Sequence, residues 1–221
     1  MARAELSEGE VYHVYNRGIE KRTIFGGDDD RWRFLTLMVL LQGDSVVDQI
    51  GRMVFSVKHR MFDKPVFKEV IRNRYTELVA FCLMPNHFHM ILRETKEGGI
   101  SKFMQRFLNA YTKYFNAKYR RSGHLFEGKF KSAHVDTDEY LDYLSAYIHL
   151  NPRELRGFSG LEVNYTWSSF QDFVHENRLG GFLKPGIILE KFYKGSEYEK
   201  FVTELPIKTT RDNLDGDLLI D

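Results

Sequence analysis

The sequence predicts an α+β fold in which helices pack on one face of an antiparallel sheet. Three observations point there. Segments with strand-like alternation and segments with helical period are interspersed in the order β-α-β-β-α-β-α, with residues 43–72 showing no clean period. Two apolar strand-like runs, 77–84 and 87–93, are separated only by Pro85-Asn86, the mark of a tight hairpin in mid-chain. Neither an internal repeat nor a low-complexity tract competes with this pattern. A ferredoxin-like sandwich satisfies all three.

Each element has a local reason. Residues 11–17 (VYHVYNR) alternate, are rich in strand formers and stop at Gly18. Asp28–Asp30 can cap a helix over 31–41 whose apolar side is Trp32, Phe34, Leu35, Met38 and Leu41. After the hairpin, Ser101 is the expected cap of a long helix over 102–120, ended by Ser122-Gly123. Residues 129–135 read as a strand. Asp138 is the expected cap of a helix over 139–150, ended at Asn151-Pro152 because proline disfavours the α conformation in the residue before it.

A chain of 221 residues suits one generous domain. Composition shifts at Gly180-Gly181, so residues 1–179 are expected to form the principal domain and 180–221 a carboxy-terminal extension, partly mobile. The single cysteine, Cys82, excludes an intramolecular disulfide framework and fits a reducing cytoplasm. No signal-peptide pattern is visible, and the longest apolar run, 35–41, is too short to cross a membrane, so a cytoplasmic location without membrane partners is expected. Net charge is only +1, but residues 102–131 carry eight lysines and arginines against one acid, Glu127, with aromatic residues interleaved. Such a block can neutralise phosphates and stack bases, or form an ordinary amphipathic helix with a solvated basic face.

Two patterns carry chemistry. In His87-Phe88-His89 on a strand, both imidazoles share one sheet face and Phe88 takes the other. Two such imidazoles can ligate a divalent ion if other groups complete the shell; alone, they are more often two half-exposed histidines on a polar face. In EYLDYLSAYIHLNP, Tyr140, Leu144, Tyr147 and Asn151 recur at helical spacing on one face, with Tyr143 one turn before Tyr147. A tyrosine stripe is usually core packing; Tyr147 differs in having an amide, Asn151, one turn beyond it.

Together MPNHFHMIL, GHLFEGKFKS, YLSAYIHLNP and YTWSS, with the opening YHVYNRG, resemble the REP-associated tyrosine transposases of the single-tyrosine HUH superfamily, over roughly residues 10–175. The resemblance implies a metal-dependent single-stranded DNA endonuclease and strand transferase working through a 5′-phosphotyrosine. It assigns Tyr147 as nucleophile, with Tyr143 the fallback, and His87, His89 and Asn151 as ligands of a divalent ion; counting phosphate and water oxygens, the ligand set is expected to take Mg or Mn. It also implies hairpin-containing single-stranded DNA with flanking guide bases as partner, and a monomer or homodimer. Arg106, Lys113, Arg120, Arg121, Lys129 and Lys131 are then the candidate DNA contacts. His149, roughly opposite Tyr147 on the helix, is not expected to be the base. The competing reading is a non-catalytic ferredoxin-like nucleic-acid-binding protein, which needs neither the histidine pair nor Tyr147.

Overall fold

Near-continuous apolar runs on both sides of Pro85-Asn86 form a hairpin that is buried along almost its whole length. In the computed structural model, which describes residues 5–45 and 49–205, β1 (Val11–Arg17) is followed by α1 (Asp28–Leu40), α2 (Ile50–Lys58) and α3 (Pro65–Arg72). The hairpin β2 (Thr76–Leu83) and β3 (His87–Glu94) comes next, then α4 (Gly99–Lys118), β4 (Lys131–Val135) and α5 (Asp138–Leu150). Three further helices close the described chain: α6 (Phe170–Val174), α7 (Gly186–Leu189) and α8 (Gly195–Glu204).

The strands form one antiparallel sheet in the order β2-β3-β1-β4. With α1 and α4 as its crossovers this is the expected ferredoxin-like sandwich. Those two helices share one face: Phe88 of β3 meets Phe34 of α1 and Phe107 of α4, with ring centres 5.2 and 6.3 Å apart. Phe88 is fully buried, which favours the fold by roughly 2–3 kcal/mol. Alternation sends its neighbours His87 and His89 to the opposite face, where α5 packs across β2, β3 and β4. The sheet is therefore covered on both sides, and the histidines are buried at 6% and 0% exposure rather than half-exposed. Residues 43–72, unassigned from sequence, hold α2 and α3, with 46–48 outside the described residues; α2 is stabilised by packing on α1, a tertiary contact.

Several caps come from elsewhere than expected. Helix α4 begins at Gly99, two residues before Ser101, because the Glu94 carboxylate at the end of β3 accepts hydrogen bonds from the Gly98 and Ile100 N–H groups at 2.8 and 3.0 Å. Gly98 holds φ +70°, a conformation that favours glycine. Helix α5 is capped by Thr137, whose hydroxyl accepts from the Tyr140 N–H at 3.1 Å, so Asp138 sits inside the first turn, where its charge complements the helix dipole. Asn151 remains in α geometry despite Pro152, and the chain tightens into a 3-10 turn, Asn151–Glu154, in whose first turn the missing proline N–H is tolerated.

At the start of α1, Asp28–Asp30 form the first turn rather than a cap. Asp30 is fully buried and accepts from the Gly26 N–H, the Tyr114 and Tyr119 hydroxyls and the Lys118 ammonium at 2.6–2.9 Å. A side chain at Gly26 would collide with the Tyr119 hydroxyl. Burial by itself raises the Asp30 pKa, but the bonds from Lys118, Tyr119, Tyr114 and Gly26 outweigh it and hold the carboxyl below its ordinary value. A depressed folded pKa stabilises the fold above the unfolded value and loses that contribution as pH falls through the folded one. Asp30→Ala should therefore cost on the order of 3 kcal/mol at neutral pH. Urea titrations should show the gap to wild type narrowing below about pH 4. A gap independent of pH would mean that packing, not charge, accounts for the loss.

Of the extension expected after Gly180, residues 180–205 are described and make contacts with the preceding chain; the charged stretch 206–221 lies outside the described residues. Lys184 N–H bonds to Leu78 O at 2.8 Å beside the outer strand β2, and Tyr198 of α8 is fully buried against α5. Among the described residues no helix is long and apolar enough to cross a membrane.

Candidate active site

Helix α5 delivers two residues to the histidine pair. The Tyr147 ring stands edge-on to His89, with centres 5.6 Å apart and planes at 85°. Asn151, one turn later, places Oδ1 3.4 Å from His87 Nε2. Its Nδ2 donates to Tyr147 O at 2.8 Å, a carbonyl left over where the α-helix stops. That bond decides which way the amide points: nitrogen towards the helix, oxygen towards the histidines. Tyr147, His87, His89 and Asn151 are thus brought together within one chain. Tyr143 is not part of this group; its ring packs on Phe201 of α8 at 6.2 Å.

The histidine rings are perpendicular, with centres 5.1 Å apart, a spacing at which two imidazoles can share one ion about 2.1 Å from each nitrogen. Asn86 Oδ1 lies 2.7 Å from His87 Nδ1, which orients that ring's other nitrogen towards Asn151. His89 Nε2 is buried with no hydrogen-bond partner among the described residues, as expected of an atom reserved for a ligand. Burial first, then the neighbouring His13 and His87, push the His89 pKa well below its ordinary value, so the ring is neutral and able to ligate. Among the described residues no cluster of three or more His, Cys, Asp or Glu side chains is arranged to hold a metal. The donor set is two imidazoles and an amide oxygen, leaving positions that water and phosphate oxygens can fill. It fits a divalent ion of intermediate hardness.

Sequence reasoning missed His13. Register pairs Tyr15 with His89 and His13 with Ile91, so β1 brings His13 and Tyr15 to the same face as the pair. His13 is fully buried, its Nε2 is 2.8 Å from His89 Nδ1, and burial lowers its pKa to about 3. The available signal was the same-face spacing of His13 and Tyr15 in YHVYNRG, but only strand pairing shows which neighbour they face.

The YTWSS segment and His149 have a supporting role. Ser169 Oγ accepts from the Phe81 N–H at 2.8 Å, Ser169 N–H donates to Phe81 O at 2.9 Å, and Tyr165 donates to Leu83 O at 2.7 Å, closing off the edge of β2. His149 lies on the far side of α5, 2.8 Å from Ser169 Oγ and 2.7 Å from the Tyr198 hydroxyl, which donates to Ser145. Burial lowers its pKa to about 3. This network ties α5 to the sheet edge and to α8, and it takes up both nitrogens of His149.

The sequence model of the family described as IS200-like transposases matches residues 50–151, a span that contains all four residues of the site and ends on Asn151. This stretch is IS200-transposase-like. Among solved structures, one of a REP-associated tyrosine transposase bound to a REP hairpin shares the fold, with a TM-score of 0.50 and 15% identity over 82% of this chain and 89% of that one. No curated protein matches the sequence.

The candidate DNA contacts read from the sequence fall into two groups. Arg106 bonds internally to Gly43 O, the Tyr75 hydroxyl and Ser45 O at 2.6–3.1 Å, and Arg121 bonds to Asn116 Oδ1 and His124 O at 2.6 and 3.0 Å. Both guanidinium groups hold the fold together where they stand. Lys113, Arg120, Lys129 and Lys131 are exposed. Lys131 lies opposite Tyr15 in the sheet and thus on the His89 face, its Nζ 5.9 Å from the Tyr15 ring centre. Lys129 borders a groove of about 620 Å³ between α4 and residues 124–130, lined also by Gln105, Asn109, Phe126 and Phe130.

Proposed function

We propose that this chain is a DNA strand transferase of the transposase type, which cuts and rejoins single-stranded, hairpin-containing DNA with flanking guide bases through a covalent bond to Tyr147. The observation that carries the proposal is the meeting of Tyr147 with His89, His87 and Asn151 at one spot, the first and last delivered by α5 and the pair by β3. His87, His89 and Asn151 would hold Mg or Mn. Bound there, a divalent ion would neutralise non-bridging phosphate oxygens and make the phosphorus more electrophilic.

A phenol with a pKa near 10 is a weak nucleophile, so orientation matters. Edge-on packing of the Tyr147 ring against His89 limits the freedom of that side chain beside the two histidines. The Tyr147 Oη–P bond forms as the P–O3′ bond breaks; the phenol proton is lost and the 3′-oxygen gains one. The product is a 5′-phosphotyrosine and a free 3′-hydroxyl. Because phosphoester energy is conserved, attack by another 3′-hydroxyl reverses the step and joins strands without ATP. Since one chain supplies both tyrosine and ligands, the reaction would run in cis, in a monomer or in each half of a homodimer.

The test is to incubate the protein with end-labelled hairpin DNA and Mn²⁺, denature it, and look for a label that stays on the protein. Cleavage without an adduct would make water the nucleophile; neither cleavage nor adduct, with binding intact, would leave a binding module. Lys131 and Lys129 should add phosphate contacts beside the site. Changing either to alanine should weaken binding across all sequences and lower the slope of log affinity against log salt by about 1. An unchanged slope would move the DNA path elsewhere.

A further inference from the structure

We infer that His13 is a positioning residue that selects the tautomer of His89, accepting a hydrogen bond from its Nδ1–H so that the His89 Nε2 lone pair faces the site. The inference rests on the metal-dependent reading above.

The geometry leaves two arrangements. His13 Nε2 and His89 Nδ1 are 2.8 Å apart, so one of the two nitrogens carries a proton and the other presents a lone pair. If His13 donates, the neutral His89 must carry its proton on Nε2, and that nitrogen cannot ligate. If His89 donates, Nε2 is a bare lone pair. Only the second arrangement is compatible with an ion; His89 Nε2 is buried without a hydrogen-bond partner among the described residues, as is His13 Nδ1, which in this arrangement carries the His13 proton.

The surroundings keep the ring where it is. His13 stacks on His89 with planes 16° apart, and Tyr15 lies 29° from the His89 plane on the same strand as His13. Flipping the His89 ring would turn Nε2 away from the site and give up the bond to His13. In many metal sites a carboxylate or backbone carbonyl accepts from the ligating histidine. Here the acceptor is a second imidazole, placed by the β1–β3 register.

Two measurements test this, both without reference to cleavage. Mn²⁺ affinity is read from the loss of the free-ion EPR signal on titrating the full chain, with melting temperature followed in parallel. His13→Phe keeps a ring and removes the acceptor; affinity should fall roughly 10–100-fold. His13→Gln restores an acceptor oxygen and should recover much of that loss. Long-range ¹⁵N–¹H correlation on the wild type saturated with diamagnetic Mg²⁺ should show His89 protonated at Nδ1 and unprotonated at Nε2. Equal Mn²⁺ affinity in wild type and His13→Phe, or a proton on His89 Nε2 in the loaded protein, overturns the inference. The NMR result needs no variant, so it decides the matter even if His13→Phe does not fold. A wild type that takes up no Mn²⁺ would overturn the metal reading and this inference together. Uptake that is indifferent to His13 would remove only the latter.

Discussion

Tyr147→Phe should bind single-stranded DNA as the wild type does, yet form no covalent adduct and cut at least roughly four orders of magnitude more slowly. The change deletes one oxygen and keeps the ring that packs edge-on to His89, so α5 should stay in place. Tyr143→Phe is the same chemical change one turn earlier. Its ring packs on Phe201 of α8 rather than on His89, and activity should remain within a few-fold of wild type. Comparing the two variants separates nucleophile from packing. Peptide mass spectrometry of the wild-type adduct should place the nucleotide on Tyr147; a nucleotide on Tyr143 would reassign the nucleophile.

Loss of the histidine pair should be nearly as severe. His87→Ala combined with His89→Ala should abolish cleavage, and because both side chains are buried, stability should drop by about 1–3 kcal/mol as well. Chelation separates the two effects. Wild type treated with EDTA should lose cleavage while staying folded by circular dichroism, and Mn²⁺ or Mg²⁺ should restore it; the double variant should not respond to either ion. Full activity in EDTA would sink the metal assignment for His87, His89 and Asn151, though not the role of Tyr147.

Features that depend on a short repeat were legible without any structure. Period two in His87-Phe88-His89 puts the imidazoles on one face, and α5 brings the period-3.6 partners Tyr147 and Asn151 to that same place. Boundaries were less legible, because the group satisfying a helix end can be distant in sequence or simply another nearby side chain. Glu94 starts α4 from the preceding strand, and Thr137 rather than Asp138 caps α5. Basic residues were harder still. Composition shows that residues 102–131 are positively charged, but it cannot show that Arg106 and Arg121 are bonded to the protein while Lys129 and Lys131 reach solvent.

Sequence alone determined the α+β class, the hairpin that carries the histidines and the helix that carries the tyrosine, since each follows from side-chain direction within a single element. Tertiary structure decided that α5 lies on the face opposite α1 and α4, burying the pair, and that Tyr147 rather than Tyr143 meets it. It also decided that His13, some seventy residues earlier, bonds to His89. Such contacts depend on strand register and on which side of the sheet a helix returns to. Those choices are made by the balance of many long-range packing contacts, and no local window of residues contains them.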